Sequence, residues 1–99
     1  RASDMIKSGA HRISPKDIEE VVLEVDGVAE VVAVGVPDEL LGQVIKLIVV
    51  KRPGTELDGK TIQRHCKQNL AAYKIPKLIE FADTIPRTSS GKVQRFKLQ

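Results

Sequence analysis

The sequence predicts a small α+β domain in which a hairpin and a mostly antiparallel three-stranded sheet are packed by two or three helices. Two segments, residues 28–36 and 44–50, are rich in β-branched side chains and are too short for typical helices. Residues 15–25 instead carry apolar side chains at helical spacing. The 99 residues match the size of one domain with its own buried core.

The composition excludes several classes of protein. No apolar run approaches the roughly 18 residues that a membrane span requires, so we expect no membrane-spanning segment. The single cysteine, Cys66, allows no internal disulfide, and with His11 and His65 it forms no zinc-binding set, so we expect no metal site here. Both features favour a reducing, cytoplasmic setting. Because the chain begins with Arg1 rather than Met, we expect it to be a segment of a longer protein.

The first part of the chain is predicted to form a hairpin followed by a helix. Residues 5–14 contain two short strand-like segments on either side of Gly9, which can supply the positive φ of a turn. Ser14 and Pro15 then provide an N-cap and a proline at the first helical position, and Gly27 supplies the stop. The apolar face of this helix is expected to comprise Ile18, Val21, Val22 and Val25.

The two β-branched segments are predicted to be largely buried strands, separated by a turn or short helical segment at residues 37–42. Asp58 can cap a second helix that extends to about Tyr73, and Pro76 prevents its continuation. We assign the inward face of this helix to Ile62, Cys66, Leu70 and Tyr73.

The last part of the chain is predicted to contain a third, shorter strand and a loop. The strand comprises residues 78–81. Residues 86–92 contain turn formers and almost nothing apolar, which indicates an exposed loop.

Several common site patterns are excluded by residue type and spacing. Residues 86–93 are not a P-loop, because Pro86 stands where the first glycine is required. His65 and Cys66 are adjacent on a helix and point about 100° apart, too far to form a base and nucleophile pair. The net charge of +3 is compatible with nucleic acid, but the three aromatic residues are not interleaved with the basic ones, so we expect no nucleic-acid partner.

Two segments richer in glycine and polar residues than a small core requires resemble motifs of one enzyme family. Residues 1–13 (RASDMIKSGAHRI), followed by Ile18-Glu19, resemble the hinge and glycine-loop motif R-x-(D/K)-D-x-I-K-x-x-G-x-R-I…E-I-E of adenylate-forming enzymes. Residues 85–95 (IPRTSSGKVQR) resemble their terminal motif L-P-(K/R)-T-x-S-G-K-(I/V)-x-R. Residues 35–38 and 73–76 also match, so the resemblance covers essentially the whole chain.

The resemblance implies that residues 1–99 are the mobile C-terminal domain of an AMP-forming ligase of the acyl-CoA synthetase type. Its partner would be its own, larger N-terminal domain, which would also hold Mg²⁺. Such an enzyme joins a carboxylic acid to AMP from ATP, then rotates this domain so that coenzyme A (CoA) displaces AMP and forms a thioester. The first step needs a cation near developing charge and the second needs that cation withdrawn. Because this chain would supply one candidate cation and no pocket for ATP or acid, we expect the isolated chain to be inactive.

The same resemblance assigns the candidate site residues. Lys92 corresponds to the adenylation lysine, a compact point charge on a glycine-bearing loop that can enter a neighbouring cleft. Lys7 corresponds to a lysine of the second half-reaction, and Arg1 to an arginine that contacts the AMP ribose. Ser3 and Asp4 occupy the hinge. The candidate CoA-binding residues are Ser8, Gly9, Ala10, His11 and Lys67.

Two positions depart from the family motif. Ser3 replaces the usual Asp or Lys at the hinge, and Ala10 replaces a glycine beside which pantetheine passes. The methyl group of Ala10 would narrow that passage without closing it. Two alternatives to a CoA ligase stay open: an adenylation domain of a peptide synthetase, and a free-standing interaction or nucleic-acid-binding module. Peptide synthetases favour Asn-Gly-Lys in the terminal motif, whereas residues 90–92 are Ser-Gly-Lys.

Overall fold

Five strands and two α-helices make up the computed structural model, which describes residues 5–91 and residue 93. In chain order the elements are β1 (Ile6–Ser8), β2 (His11–Ile13), α1 (Pro15–Val22), β3 (Val28–Asp38), β4 (Gly42–Lys51), α2 (Gly59–Asn69), a 3₁₀ helix (Ala72–Lys74) and β5 (Leu78–Phe81). The predicted α+β class is confirmed. In the described part of the chain, no helix is long and apolar enough to cross a membrane.

The strand β4 is the centre of the sheet. Along one edge it pairs antiparallel with β3, from Val28 opposite Lys51 to Asp38 opposite Gly42. Along its other edge it pairs antiparallel with β1 at its beginning, through Ser8 and Gly42, and parallel with β5 further along. The sheet therefore has five strands rather than the predicted three, because the hairpin of β1 and β2 joins it.

The sheet is buried on both faces. One face packs against the helices, and its buried cluster consists of Ile6, Ile13, Ile18, Val22, Val25, Val28, Ala33, Ile45, Leu47, Val49, Ile62 and Cys66. The other face has a smaller buried cluster of Val32, Val34, Ile48 and Ile85, with partly buried side chains around it that include Val93. Burial on both faces explains why β3 and β4 are nearly continuous apolar runs.

The helix α1 begins as predicted and ends earlier. Ser14 is the N-cap, but its side chain makes no capping hydrogen bond; its carbonyl accepts from the Asp17 N–H at 3.1 Å. The amides of Glu24 and Val25 bond to carbonyls only three residues earlier, so the chain tightens into turns after residue 22. The prediction that the helix stops at Gly27 is wrong by about one turn, although Val25 is still buried.

The helix α2 begins at its predicted cap. The Asp58 carboxylate accepts hydrogen bonds from the backbone N–H and the hydroxyl of Thr61, at 2.9 and 2.8 Å. Leu70 then adopts an extended backbone, so helical periodicity stops before Tyr73. The prediction of an inward-facing Tyr73 is wrong, since 41% of this residue is exposed. Cys66 is buried as expected, and burial raises the pKa of its thiol.

The cap of α2 generates a pH-dependent prediction. The hydrogen bond from the Thr61 backbone lowers the pKa of Asp58 in the folded state, so the cap stabilises the domain above the unfolded pKa and is lost as pH falls through the folded pKa. We expect Asp58→Ala to lower the melting temperature of the chain by a few degrees at pH 7. The difference should shrink below about pH 4. Thermal scans of Asp83→Ala, at an exposed aspartate outside both helices, provide the control, in which this pH dependence should be absent. If the difference in melting temperature between Asp58→Ala and the parent chain were the same in acid as at pH 7, the prediction would be contradicted.

Candidate functional site

Residues 8–11, here called the glycine loop, connect β1 to β2 beside the start of β4. Gly9 has a φ of 60°, in the left-handed region that favours glycine, and its N–H donates to the Leu41 carbonyl at 2.8 Å. A β-carbon at Gly9 would contact a Leu41 methyl group at an ordinary 3.7 Å, so the backbone conformation, not lack of space, requires glycine. The loop is thereby fixed to the turn between β3 and β4.

A groove of about 490 Å³ lies beside the glycine loop. One side is formed by the loop itself, and the structure therefore brings together four of the five predicted CoA-binding residues, Ser8, Gly9, Ala10 and His11. Its other lining residues are Leu41, Val44, Ile45, Ala72, Tyr73, Ile75 and Lys77. The groove is thus largely apolar and has one lysine at its border.

The rings of His11 and Tyr73, which both line the groove, stack directly on each other. Their centroids are 3.9 Å apart and their planes differ by 11°. The Lys77 N–H donates to the Ile45 carbonyl at 3.0 Å, which attaches the segment after the 3₁₀ helix to β4. Helical periodicity did not predict that Tyr73 would line the groove and stack on His11. The sequence signal that could have indicated it is the match of residues 73–76 to the family.

Lys7 is exposed on β1, opposite Arg12. Its backbone N–H donates to the Gln43 side-chain oxygen at 2.8 Å. That side chain crosses directly over Gly35, where an added β-carbon would lie 2.8 Å from the Gln43 amide carbon. A side chain at position 35 would therefore displace the end of Gln43, whose amide oxygen supports the strand that carries Lys7.

Lys67 lies apart from the glycine loop. It is exposed on α2 and borders a different groove, of about 810 Å³, together with Lys60, Arg64 and Ile79. The two grooves share no lining residue. The structure thus does not bring this fifth predicted CoA-binding residue together with the other four.

The predicted exposed loop at the C-terminal end is confirmed for the residues that the structure describes. Residues 86–91, here called the terminal loop, lie between two apolar anchors, Ile85 and Val93, that pack on the face of the sheet opposite α1 and α2. Arg87 and Val93 form an antiparallel bridge, and the Gly91 N–H donates to the Thr88 carbonyl at 2.9 Å. The two loop ends are thereby held together.

Four predicted site residues lie outside the described residues: Arg1, Ser3, Asp4 and Lys92. The structure does describe Gly91 and Val93, the residues on either side of Lys92 in the sequence.

The glycine loop and the terminal loop lie at opposite ends of β4. Ser8 is opposite Gly42, where β4 begins. Arg87 instead pairs with Glu30, which is opposite Val50 near the end of β4. At about 3.3 Å per strand residue, Gly42 and Val50 are roughly 25 Å apart.

Comparison with known proteins identifies the family. Residues 17–92 match the family model described as the AMP-binding enzyme C-terminal domain. The chain belongs to this family. An oxalate–CoA ligase of Arabidopsis thaliana is 42% identical over 96% of the chain, and a long-chain-fatty-acid–CoA ligase of Escherichia coli is 39% identical over 100%. The chain spans 18% of each of these relatives.

Solved structures agree with this AMP-binding C-terminal domain in fold. ATP-bound MatB from Rhodopseudomonas palustris superposes with a TM-score of 0.95 at 32% identity, covering 99% of this chain and 20% of that one. The predicted resemblance to adenylate-forming enzymes is therefore confirmed.

The ring stack generates a prediction for nuclear magnetic resonance of the 99-residue chain. Because the Tyr73 ring lies over the His11 imidazole, its ring current should shift the His11 ring protons upfield. Tyr73→Leu should remove that shift, whereas Phe81→Leu, at another exposed aromatic residue, should preserve it. Identical His11 resonances in the Tyr73→Leu variant and the parent chain would contradict the stack.

Proposed function

We propose that this chain is the C-terminal domain of an AMP-forming carboxylate–CoA ligase and that its two loops act in successive half-reactions. In the first, a carboxylate oxygen attacks the α-phosphorus of ATP, the bond to pyrophosphate breaks, and acyl-AMP forms. Lys92 supplies a cation near the charge that develops on the phosphate and carboxylate oxygens. We assign Mg²⁺ to the N-terminal domain, and the described residues contain no group of three or more metal-ligating side chains.

In the second half-reaction, the CoA sulfur loses its proton and attacks the acyl carbon, and the bond from that carbon to the AMP oxygen breaks. The groove beside the glycine loop supports CoA binding there. Its apolar walls suit a pantetheine chain, the rings of His11 and Tyr73 offer a surface for stacking, and Lys77 offers a cation for phosphate. Lys7 is assigned to this step by its motif position, and a contact of Lys67 with CoA phosphate stays a prediction.

The observation that carries the proposal is the separation of the two loops. They contact opposite ends of the β3–β4 pair, at strand positions Gly42 and Val50 that are roughly 25 Å apart by strand rise, and this separation supports their acting in different domain orientations. Rotation of the domain between half-reactions resolves this, with Ser3 and Asp4 as the hinge and Arg1 at the AMP ribose.

The acid substrate is a property of the rest of the enzyme in this proposal. The two named relatives carry oxalate and long-chain fatty acids in their names, yet both resemble this chain over nearly its whole length. Because these two names differ so widely in the acid, assays of the complete ligase should begin with oxalate and palmitate as contrasting acids.

A cytoplasmic location accords with dependence on ATP and CoA and stays a prediction.

Lys92→Ala in the complete ligase should slow adenylation by about 10²- to 10³-fold, since it removes a charge matched to the transition state. Thioester formation from preformed acyl-AMP should stay near the parent rate. Pyrophosphate exchange and thioester release measure the two steps. Lys16→Ala, at an exposed lysine of α1, is the control, and the 99-residue chain alone should release no pyrophosphate. Equal losses in both steps would argue against alternation.

Ala10→Leu in the complete ligase should slow thioester formation and spare adenylation, the reverse of the effect expected for Lys92→Ala. The longer side chain would enter the groove beside the glycine loop and obstruct the thiol, whereas adenylation would stay near normal. Ala10→Gly should keep or raise the thioester rate. The same two assays distinguish the steps, and parallel changes in both for Ala10→Leu would remove the case for a CoA-facing loop.

A further inference from the structure

Arg87 connects the terminal loop to the sheet through two contacts. Its Nη2 forms an ion pair and hydrogen bond with the Glu30 carboxylate on β3. Its Nη1 donates to the Gly91 carbonyl at 3.2 Å. One guanidinium thus joins a strand to the residue that precedes Lys92 in sequence. We call these two contacts the Arg87 clamp.

The clamp complements the other contact of Gly91. The Gly91 N–H donates to the Thr88 carbonyl, so both polar groups of this residue have partners within the loop. Gly91 has a φ of 87°, and a β-carbon there would meet no atom of the described residues within 4 Å, so packing within this part of the chain does not hold it. Its orientation therefore depends on these hydrogen bonds and on the anchored Val93.

The shape of arginine allows one side chain to make both clamp contacts at once. A guanidinium presents several N–H donors in a rigid planar fork, whereas the ammonium of lysine is a point charge on a flexible stem. Glu30 also pairs with the charge of Arg87, which makes Arg87 better suited to holding the loop than to serving as a free cation. About two-fifths of each side chain is exposed, and neither residue belongs to the buried core, so substitutions at these positions leave core packing intact.

We propose that Arg87 and Glu30 are positioning residues for adenylation, which rests on the role proposed for Lys92. The clamp holds the backbone at Gly91 in the orientation from which the lysine must extend into the active site. A misplacement of about 1 Å in a positioned group can cost on the order of 10²-fold in rate. The clamp therefore affects the first half-reaction and leaves the CoA-facing groove untouched.

The test uses the complete ligase with whichever of oxalate or palmitate supports exchange. Arg87→Met should lower kcat for adenylation by about 10- to 100-fold with KM for ATP near the parent value. Arg87→Lys and Glu30→Gln should cause smaller losses in the same direction. The double variant Arg87→Met/Glu30→Gln should be no slower than Arg87→Met, because the two residues act through one contact.

Two readouts separate positioning from a general structural effect. Thioester formation from preformed acyl-AMP should be unchanged in all clamp variants. The amide hydrogen of Gly91 should exchange with solvent faster in Arg87→Met than in the parent. Arg52→Met, at an exposed arginine after β4, should leave both readouts and adenylation unchanged.

The possible failures are distinguishable. Parent-like adenylation in Arg87→Met, equal losses in both half-reactions, or a faster Glu30→Gln enzyme would overturn the clamp. If Arg87→Met does not fold, Glu30→Gln and Arg87→Lys decide by the same criteria. Parent-like exchange in Lys92→Ala would instead overturn the proposed function.

Discussion

The pairing of β4 along both edges is the constraint on which the rest of the domain depends. β3 occupies one edge, and β1 and β5 share the other. Because β4 is also covered on both faces, its position is determined by backbone hydrogen bonds and by apolar burial together. The glycine loop pairs with β4 at Gly42, whereas the terminal loop contacts Glu30 of β3, opposite Val50, so the β3–β4 pair separates the two attachment points.

The two loops are held by different physical means. The glycine loop is fixed by backbone geometry, through a left-handed glycine and its hydrogen bond to the neighbouring turn. The terminal loop is fixed by two apolar anchors, the buried Ile85 and the partly buried Val93, with a polar, exposed segment between them. Apolar packing is not directional, so the anchors determine where the loop lies but not how its tip is oriented. Hydrogen bonds and ion pairs, which are directional, determine that orientation.

Local sequence patterns predicted the elements well where short-range physics decides them. The β-branched runs became β3 and β4, and Asp58 caps α2 through the expected hydrogen bond. The errors concern helix ends and the number of strands in the sheet. Leu70 leaves the helical conformation before Tyr73, and propensity alone does not determine where tertiary contacts interrupt a helix.

The sequence by itself determined the class of fold, the order of the elements, the family resemblance and the candidate residues of both motifs. Only the tertiary structure decided that His11 stacks on Tyr73, that Lys67 lies in another groove, and that Arg87 reaches Glu30. Arg87 and Glu30 are 57 residues apart in the chain. Contacts between such distant residues depend on strand register and sheet order, which arise from the packing of the whole domain rather than from any local pattern.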